Sequence, residues 1–521
     1  MLIETDTRTR PAVSFAAIAS LIDRRPYLVL PIWIAAYFVV LWRVAHRPLW
    51  YDELFTYYVS MAPTWKSFVA DIRFVDLNPP LSYFFVRSSI TLFGDSPFST
   101  RLPSLLAFLI ASLVPSHLMA RRFGGAFGLI ALGVFWSSTL TAYAVEARPY
   151  ALLLAFFSIS LWCWLNSIGT SRWTKWHTGL AAANVAMMLT HCFAPILIAA
   201  IGAGELVRSV ETRRIDRRVW VTVIAPLSLV LFYVPLVRNA QALIYPAQFE
   251  ATALTIPAFY LRLTVLLLPA ICTIPLLRFL GKERQPVRWL DLLRPHEGAF
   301  CAAALLGPIA IIVYSIWSGV PFWDRYAVGA ILGASILITA LCVFAARRGT
   351  GRGIAGAVII LVLFCFLNGR TGVLLERYEN SSAGYRAIQP DLPFVTASGL
   401  TFLEMDHRES PEFIRRLYYL TDRESAIRYA HASIFEELPR VARYFPVRGN
   451  ITPYREFIKQ NPQFIVLGTP GFPEDWLLEK LHDDGAEIHL VLNQKNGYRD
   501  RQLFQVRVRR NEVGITTKPY R

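Results

Sequence analysis

Charge is scarce in this chain. Asp, Glu, Lys and Arg make up only 17% of its 521 residues, against 54% hydrophobic ones, which excludes one soluble domain and a single core. Cysteine is sparse too. Its six positions, Cys163, Cys192, Cys272, Cys301, Cys342 and Cys365, all lie in or beside apolar runs, so neither a disulfide framework nor a zinc knuckle is readable. No internal repeat is found, and no Gly-rich phosphate loop occurs in the C-terminal part. The run Ser14–Ile22 is too short to span a bilayer and reads as an interfacial segment, not as a cleaved signal peptide. Acidic residues are the scarcer sign, 37 against 53 basic ones, for a formal net charge of +16. The cations are scattered among short loops and form no single basic surface, which argues against a nucleic-acid partner.

Long apolar runs are what the chain has in abundance. Eleven come close to the roughly 20 residues a bilayer demands: Tyr27–Val44, Leu102–Ala120, Gly125–Ala142, Tyr150–Ser167, Trp176–Thr190, Phe193–Val207, Val219–Val237, Pro257–Phe279, Gly298–Ser318, Tyr326–Ala346 and Ile354–Leu374. Alternate loops collect the Lys and Arg, as at Arg24 and Arg25, Arg121 and Arg122, Arg213 to Arg218, and Arg347 and Arg348. By the positive-inside rule the N-terminus is cytoplasmic, and the first loop and everything after Leu374 face outward. The expected fold class is a polytopic α-helical membrane protein of about 11 transmembrane helices with a C-terminal soluble α/β domain. Its parts are a cytoplasmic segment over 1–26, a membrane domain over 27–374 whose first outer loop (46–101) carries interfacial helices, and an extracytoplasmic α/β domain over 375–521.

Within that last part, Phe394–Ala397, Phe464–Leu467, Ile488–Leu492 and Leu503–Val508 read as strands, and Pro411–Leu420, Ile434–Tyr444, Tyr454–Gln460 and Asp475–Asp483 as helices. Glu404, Asp406 and His407 read as a solvated turn, since no metal-ligand spacing supports more.

The first outer loop is unlike a passive connection. It sets Asp52, Glu53, Asp71 and Asp76 among aromatics and follows them with Asn78-Pro79-Pro80, where paired prolines impose extended backbone and then start a helix over Leu81–Phe93. Asp52 and Glu53 open an amphipathic stretch through Ala62, so Asp52 is readable as a helix cap or as a functional carboxylate. Three other outward loops supply Glu146, Arg148 and Tyr150, then His191, then Asp324, Arg325 and Tyr326. An arginine in a short outer loop runs against the usual charge bias, and at a helix start it is well placed for an anion. Carboxylates beside arginines at one membrane face suit group transfer from a lipid-linked phosphate: a carboxylate takes the proton of an attacking hydroxyl and cations neutralise the departing phosphate.

The acidic pair Asp52 and Glu53, the run Asp76–Tyr83, the run Glu146–Tyr150 and the pair Arg325 and Tyr326, in that order and on one side, resemble the membrane glycosyltransferases of the GT-C fold. The likeness is strongest to the protein O-mannosyltransferase and aminoarabinose transferase family, and it covers Tyr27–Leu374. The resemblance implies a sugar transferase at the extracytoplasmic face of the plasma (inner) membrane, using a polyprenyl-phosphate sugar and inverting the anomeric centre. The acceptor would be a lipid, a glycan or a protein. It also implies Asp52 as general base with Glu53 beside it as catalytic residues, and Asp76, Asn78, Glu146, Arg148, Tyr150, Arg325 and Tyr326 as substrate-binding residues. Many relatives carry His or Lys where this chain has Asn78. Some members bind a divalent metal ion and others do not. Asp76, Glu146 and His191 could supply ligands, and no spacing compels it. The alternative is a transporter or flippase of lipid-linked sugars, for which ionisable residues near mid-membrane would be expected.

Overall fold

The computed structural model describes residues 28–136, 139–241, 250–279, 291–347, 350–381, 388–432, 437–469, 475–494 and 501–508; the 1–26 segment and the run Ser14–Ile22 lie outside them. In chain order the membrane part comprises α1 (Leu30–Ala45), α2 (Tyr51–Ser60), α3 (Trp65–Asp71), α4 (Leu81–Phe93), α5 (Pro97–Phe123), α6 (Gly125–Trp136), α7 (Tyr150–Ser167), α8 (Lys175–Met188), α9 (Ala194–Thr212), α10 (Arg217–Ile224), α11 (Val234–Gln241), α12 (Thr255–Phe279), α13 (Pro295–Ser318), α14 (Ala330–Ala346) and α15 (Thr350–Ser381).

Each of the eleven apolar runs falls largely on helix where the residues are described, but eleven crossings do not follow. Among the described residues six helices are long and apolar enough to cross a membrane: Pro97–Phe123, Tyr150–Ser167, Arg217–Gln241, Thr255–Phe279, Pro295–Ser318 and Gly351–Gly369. The reasons are local. The run Gly125–Ala142 ends as α-helix at Trp136 and gives way to a 3-10 turn over Thr139–Val145. Helix α9 is 19 residues long but carries Glu205, Arg208 and Glu211, the first two joined as a pair at 2.5 Å and capped by the Trp164 indole at 2.9 Å. Burial separates two kinds of apolar helix. Every residue of α6 is buried, as a helix apolar all round requires, so it forms the centre of the bundle. Helix α12 instead exposes Leu261, Val265 and Leu268, a stripe suited to acyl chains.

The C-terminal part is a six-stranded sheet. It is built from β1 (Phe394–Thr396), β2 (Leu417–Thr421), β3 (Asn450–Pro453), β4 (Gln463–Gly468), β5 (Glu487–Gln494) and β6 (Arg501–Arg507) in the order β3-β2-β1-β4-β6-β5. Strands β1 to β4 pair in parallel, and β6 runs antiparallel to both of its neighbours, β4 and β5. The period-two alternation of strands sends Phe394, Ile465 and Leu467 to one face and Val395, Phe464 and Val466 to the other. Two expectations are corrected. The helix expected over Pro411–Leu420 lasts only through Ile414, and Leu417–Thr421 is strand β2; β3 was not anticipated at all.

One face of the sheet is completed by the membrane part. Phe394, Leu417 and Ile465, with α16 (Gly399–Arg408), share a core with Leu54, Tyr58 and Val59 of α2 and with Phe68, Val75 and Tyr83. Glu404 and His407 belong to this contact and not to a solvated turn: Glu404 accepts from the Tyr51 amide at 3.2 Å, and His407 Nδ1 meets the Tyr58 hydroxyl at 3.1 Å. Asp406 accepts from the amides of Arg448 and Gly449.

Candidate active site

Helix α2 is short, and its start decides the site. Its first residue is Tyr51, and the Trp50 amide donates to Glu53 Oε2 at 3.2 Å, so the side chain that reaches back over the helix start is Glu53. Glu53 is fully buried. Arg101, at the head of α5 and equally buried, grips it with Nε to Oε1 at 2.7 Å and Nη2 to Oε2 at 2.5 Å, while the Ala147 amide donates to Oε1 at 2.8 Å. The same guanidinium donates to the carbonyls of Ala45, Arg47 and Pro48. Burial alone would raise the Glu53 pKa, but the Arg101 charge outweighs it and the carboxyl is held below its ordinary range. Both oxygens of Glu53 are thus committed to protein donors, which is at odds with a catalytic role for it.

One residue earlier the situation is different. Asp52 points the other way and accepts from Arg325 Nη1 at 2.5 Å, with about a fifth of each side chain exposed. Arg325 comes from a 3-10 turn over Asp324–Ala327 that follows α13. Its guanidinium lies 5.3 Å from the Trp323 ring centre and 6.0 Å from those of Tyr150 and Tyr326, an aromatic surround that favours a cation.

Arg148 links the remaining groups. Its Nη1 reaches Asp76 at 2.9 and 3.1 Å, the Asp52 carbonyl at 3.0 Å and Thr56 Oγ1 at 3.2 Å. Asp76 also accepts from the Tyr83 hydroxyl at 2.5 Å. It ends a π-turn over Ile72–Asp76 that closes on Leu77 at φ 58°, a left-handed conformation costly for leucine and a kind of irregularity common where side chains must be aimed. Asn78 donates to the Asp76 carbonyl at 3.1 Å and so holds the turn.

A cavity of about 510 Å³ opens against Arg325, lined also by Trp50, Tyr143, Glu146, Arg262 and Trp323. Asp52 stands one hydrogen bond behind it. Three N–H donors in this region, Trp50 Nε1, Arg148 Nε and Arg325 Nε, are buried without an acceptor among the described residues. A buried unsatisfied donor costs roughly 1–3 kcal/mol, so the region is electrostatically prepared for an anion. Burial pushes the Glu146 carboxyl up to about 7, with the nearby Glu53 and Asp52 charges adding to it. His191 packs against Tyr150 and Tyr326, with ring centres 5.5 and 5.8 Å away. Burial, with Arg148 and Arg325 nearby, lowers its pKa to about 3 and keeps it neutral. Among the described residues no three His, Cys, Asp or Glu side chains gather as a metal site. Asp76, Glu146 and His191 in particular do not form one, because Asp76 is engaged by Arg148 and Tyr83.

Sequence reasoning brought together Asp52, Asp76, Arg148, Tyr150, Arg325 and Tyr326, and missed Arg101, Trp50 and Tyr83. Arg101 had a signal of the kind that marked Arg148, an arginine in the first outer loop against the charge bias.

Residues 77–237 match the family model described as dolichyl-phosphate-mannose-protein mannosyltransferase. No curated protein matches the chain. Among solved structures, ArnT from Cupriavidus metallidurans bound to undecaprenyl phosphate superposes with a TM-score of 0.55 at 15% identity, covering 92% of this chain and 98% of that one. The apo state of the same protein gives 0.50 at 15% identity, covering 94% and 98%. The chain is therefore a membrane protein of the GT-C fold, and within that fold it resembles the protein mannosyltransferases and ArnT.

Proposed function

We propose that this protein is a membrane glycosyltransferase that moves a sugar from a polyprenyl-phosphate donor to an acceptor hydroxyl or amine at the outer membrane face. The observation that carries the reading is the Asp52–Arg325 pair beside a cavity lined by Trp50 and Arg325, each of which holds a buried N–H donor without an acceptor among the described residues. Arg325 donates the donor phosphate its planar fork, and in turning to the phosphate it releases Asp52. The acceptor oxygen or nitrogen then attacks the anomeric carbon. The bond from that carbon to the phosphate oxygen breaks, polyprenyl phosphate leaves with the electron pair, and the acceptor proton passes to Asp52. A single displacement of this kind inverts the anomeric centre. Arg148 holds Asp76 and the α2 backbone in place, and Glu53 fixes the start of α2 from behind and takes no proton. The family match, the ArnT fold and its companion's bound undecaprenyl phosphate support the lipid-linked donor. The Lys and Arg bias of alternate loops supports the sidedness, with the N-terminus inside and the sheet domain outside.

Sealed vesicles of both orientations, given a panel of radiolabelled polyprenyl-phosphate sugars with membrane extract, test donor, acceptor class and sidedness together. Label should move to an acceptor only where the cavity faces the added substrate. A donor that crosses the membrane unchanged, with no transfer, would instead point to a flippase.

A further inference from the structure

At the opposite end of the bundle from Arg325, a second cavity of about 440 Å³ lies between α5, α7, α13 and α14. On three helices the polar lining residues gather toward the same end, where Ile168 and Leu293 also line the cavity. Along α5, Leu118 is followed by Arg121 and Arg122 in the last turn; along α7, Leu161 is followed by Asn166; α13 runs the other way and begins with Arg294 and Glu297 before Phe300. All three are among the helices long and apolar enough to span a membrane, so the polar rim lies at headgroup level and the apolar wall at acyl depth.

The charges of the rim do not cancel. Arg122 is paired with Glu297 at 2.6 Å and also donates to the Leu292 carbonyl at 3.1 Å. The same Glu297 oxygen takes the Arg294 amide at 2.8 Å. Arg121 and Arg294, both exposed, have no carboxylate partner among the described residues. Three arginines against one glutamate leave two cations facing a cavity with a greasy inner wall.

We infer that this cavity binds the headgroup of an anionic phospholipid. Its phosphodiester sits between Arg121 and Arg294, which supply charge-assisted donors, and the first methylenes of its chains lie on Leu118, Leu161 and Phe300. A basic pocket between spanning helices is suited to such a lipid; a soluble phosphate would leave the apolar wall wet. This is not the donor site, because at about 1.5 Å per residue α7 puts about 20 Å between Arg148 and the Leu161 wall and about 27 Å between Arg148 and Asn166 at the rim. The lipid would fasten α5, α7 and α13 together at one end, while their other ends carry Arg101, follow Arg148 and precede Arg325.

The test uses delipidated full-length protein in detergent, followed by native mass spectrometry and thermal unfolding with phosphatidylglycerol, phosphatidylcholine or sn-glycerol 3-phosphate. One tightly retained phosphatidylglycerol per chain and a raised unfolding midpoint are expected, with little effect of phosphatidylcholine. Arg121→Gln with Arg294→Gln should weaken phosphatidylglycerol binding by about tenfold or more. Arg214→Gln with Arg217→Gln, the same charge change at exposed positions off the cavity, should not. Equal binding by the two double variants, or equal binding of phosphatidylcholine, overturns the site. An equal midpoint shift from glycerol phosphate alone overturns the lipid in favour of a soluble anion. Should the double variant extract poorly, Arg121→Gln alone carries the same comparison, with a several-fold loss expected.

Discussion

Asp52 and Glu53 are neighbours on one helix, and each is paired with one arginine, yet the two pairs do different work. Glu53 and Arg101 are fully excluded from solvent, joined by two hydrogen bonds and surrounded by further backbone partners. Asp52 and Arg325 are about a fifth exposed and joined through a single guanidinium nitrogen beside a cavity. A locked pair can only hold a shape, since any exchange of partner leaves a buried charge uncompensated. An open pair can trade partners with a ligand. A helical turn aims consecutive side chains about 100° apart, so two adjacent carboxylates meet a closed interior on one side and an open cavity region on the other.

Breaking each pair separately tests this contrast. Arg101→Ala strands Glu53 in the interior and should cost roughly 3–5 kcal/mol, seen as loss of folded protein on detergent extraction and a much lower unfolding midpoint. Arg325→Ala should cost clearly less, because Asp52 is about a fifth exposed and water can reach it once the guanidinium is gone. Similar losses in the two variants would erase the distinction. Next in size is Asp52→Asn, which should lower turnover by about 100-fold or more at an unchanged midpoint; near-normal turnover would leave Asp52 as a structural residue and move the base elsewhere. Arg325→Lys keeps the charge and loses the planar fork, so the donor KM should rise about tenfold while the protein still folds. An unchanged KM would remove Arg325 from the phosphate.

Glu146 sharpens the comparison as a third case, buried like Glu53 but without an ion pair among the described residues. Its carboxyl is raised from 4.5 to about 7, so it favours the protonated folded state. The stability it contributes is complete below about pH 4.5 and is lost as pH rises through about 7. Glu146→Gln cannot ionise, and the difference in unfolding midpoint between the two proteins should follow that window. His191, lowered to about 3, acts in the reverse sense between about 6.5 and 3 and is common to both, so it drops out of the difference. A difference that is flat with pH would place Glu146 in contact with water.

Much of the membrane part was legible in the sequence, because periodic apolar runs and loop charges are local signals. The limits of α4 and α7 coincide with those read from the apolar runs and, at the start of α4, from the paired prolines before it. The pairings were not local. Asp52 and Arg325 stand 273 residues apart, and only their shared sidedness suggested that they meet. Nothing local marks the Glu53 pairing either, since its partner Arg101 sits 48 positions away at the end of the first outer loop, beside the apolar run beginning at Leu102. In the sheet domain the Ser410-Pro411 helix start is real, but the β-favouring Leu417-Tyr418-Tyr419-Leu420-Thr421 stretch overrides it after one turn. Helix length among the described residues supports six of the eleven expected crossings, because apolar composition alone does not reveal where a helix stops short or changes pitch.

The contact between α2 and α16 has a consequence for biosynthesis. The Tyr51 amide and the Glu404 carboxylate that receives it are separated by 353 positions. At a translation rate of 5–20 residues per second, roughly 20 to 70 s pass between the two leaving the ribosome. During that interval the membrane helices can assemble, but Leu54, Tyr58 and Val59 lack the surface that covers them in the finished protein. The packing of α2 thus arrives late in synthesis: in a nascent or prematurely terminated chain the helix that carries Asp52 and Glu53 would still lack its cover.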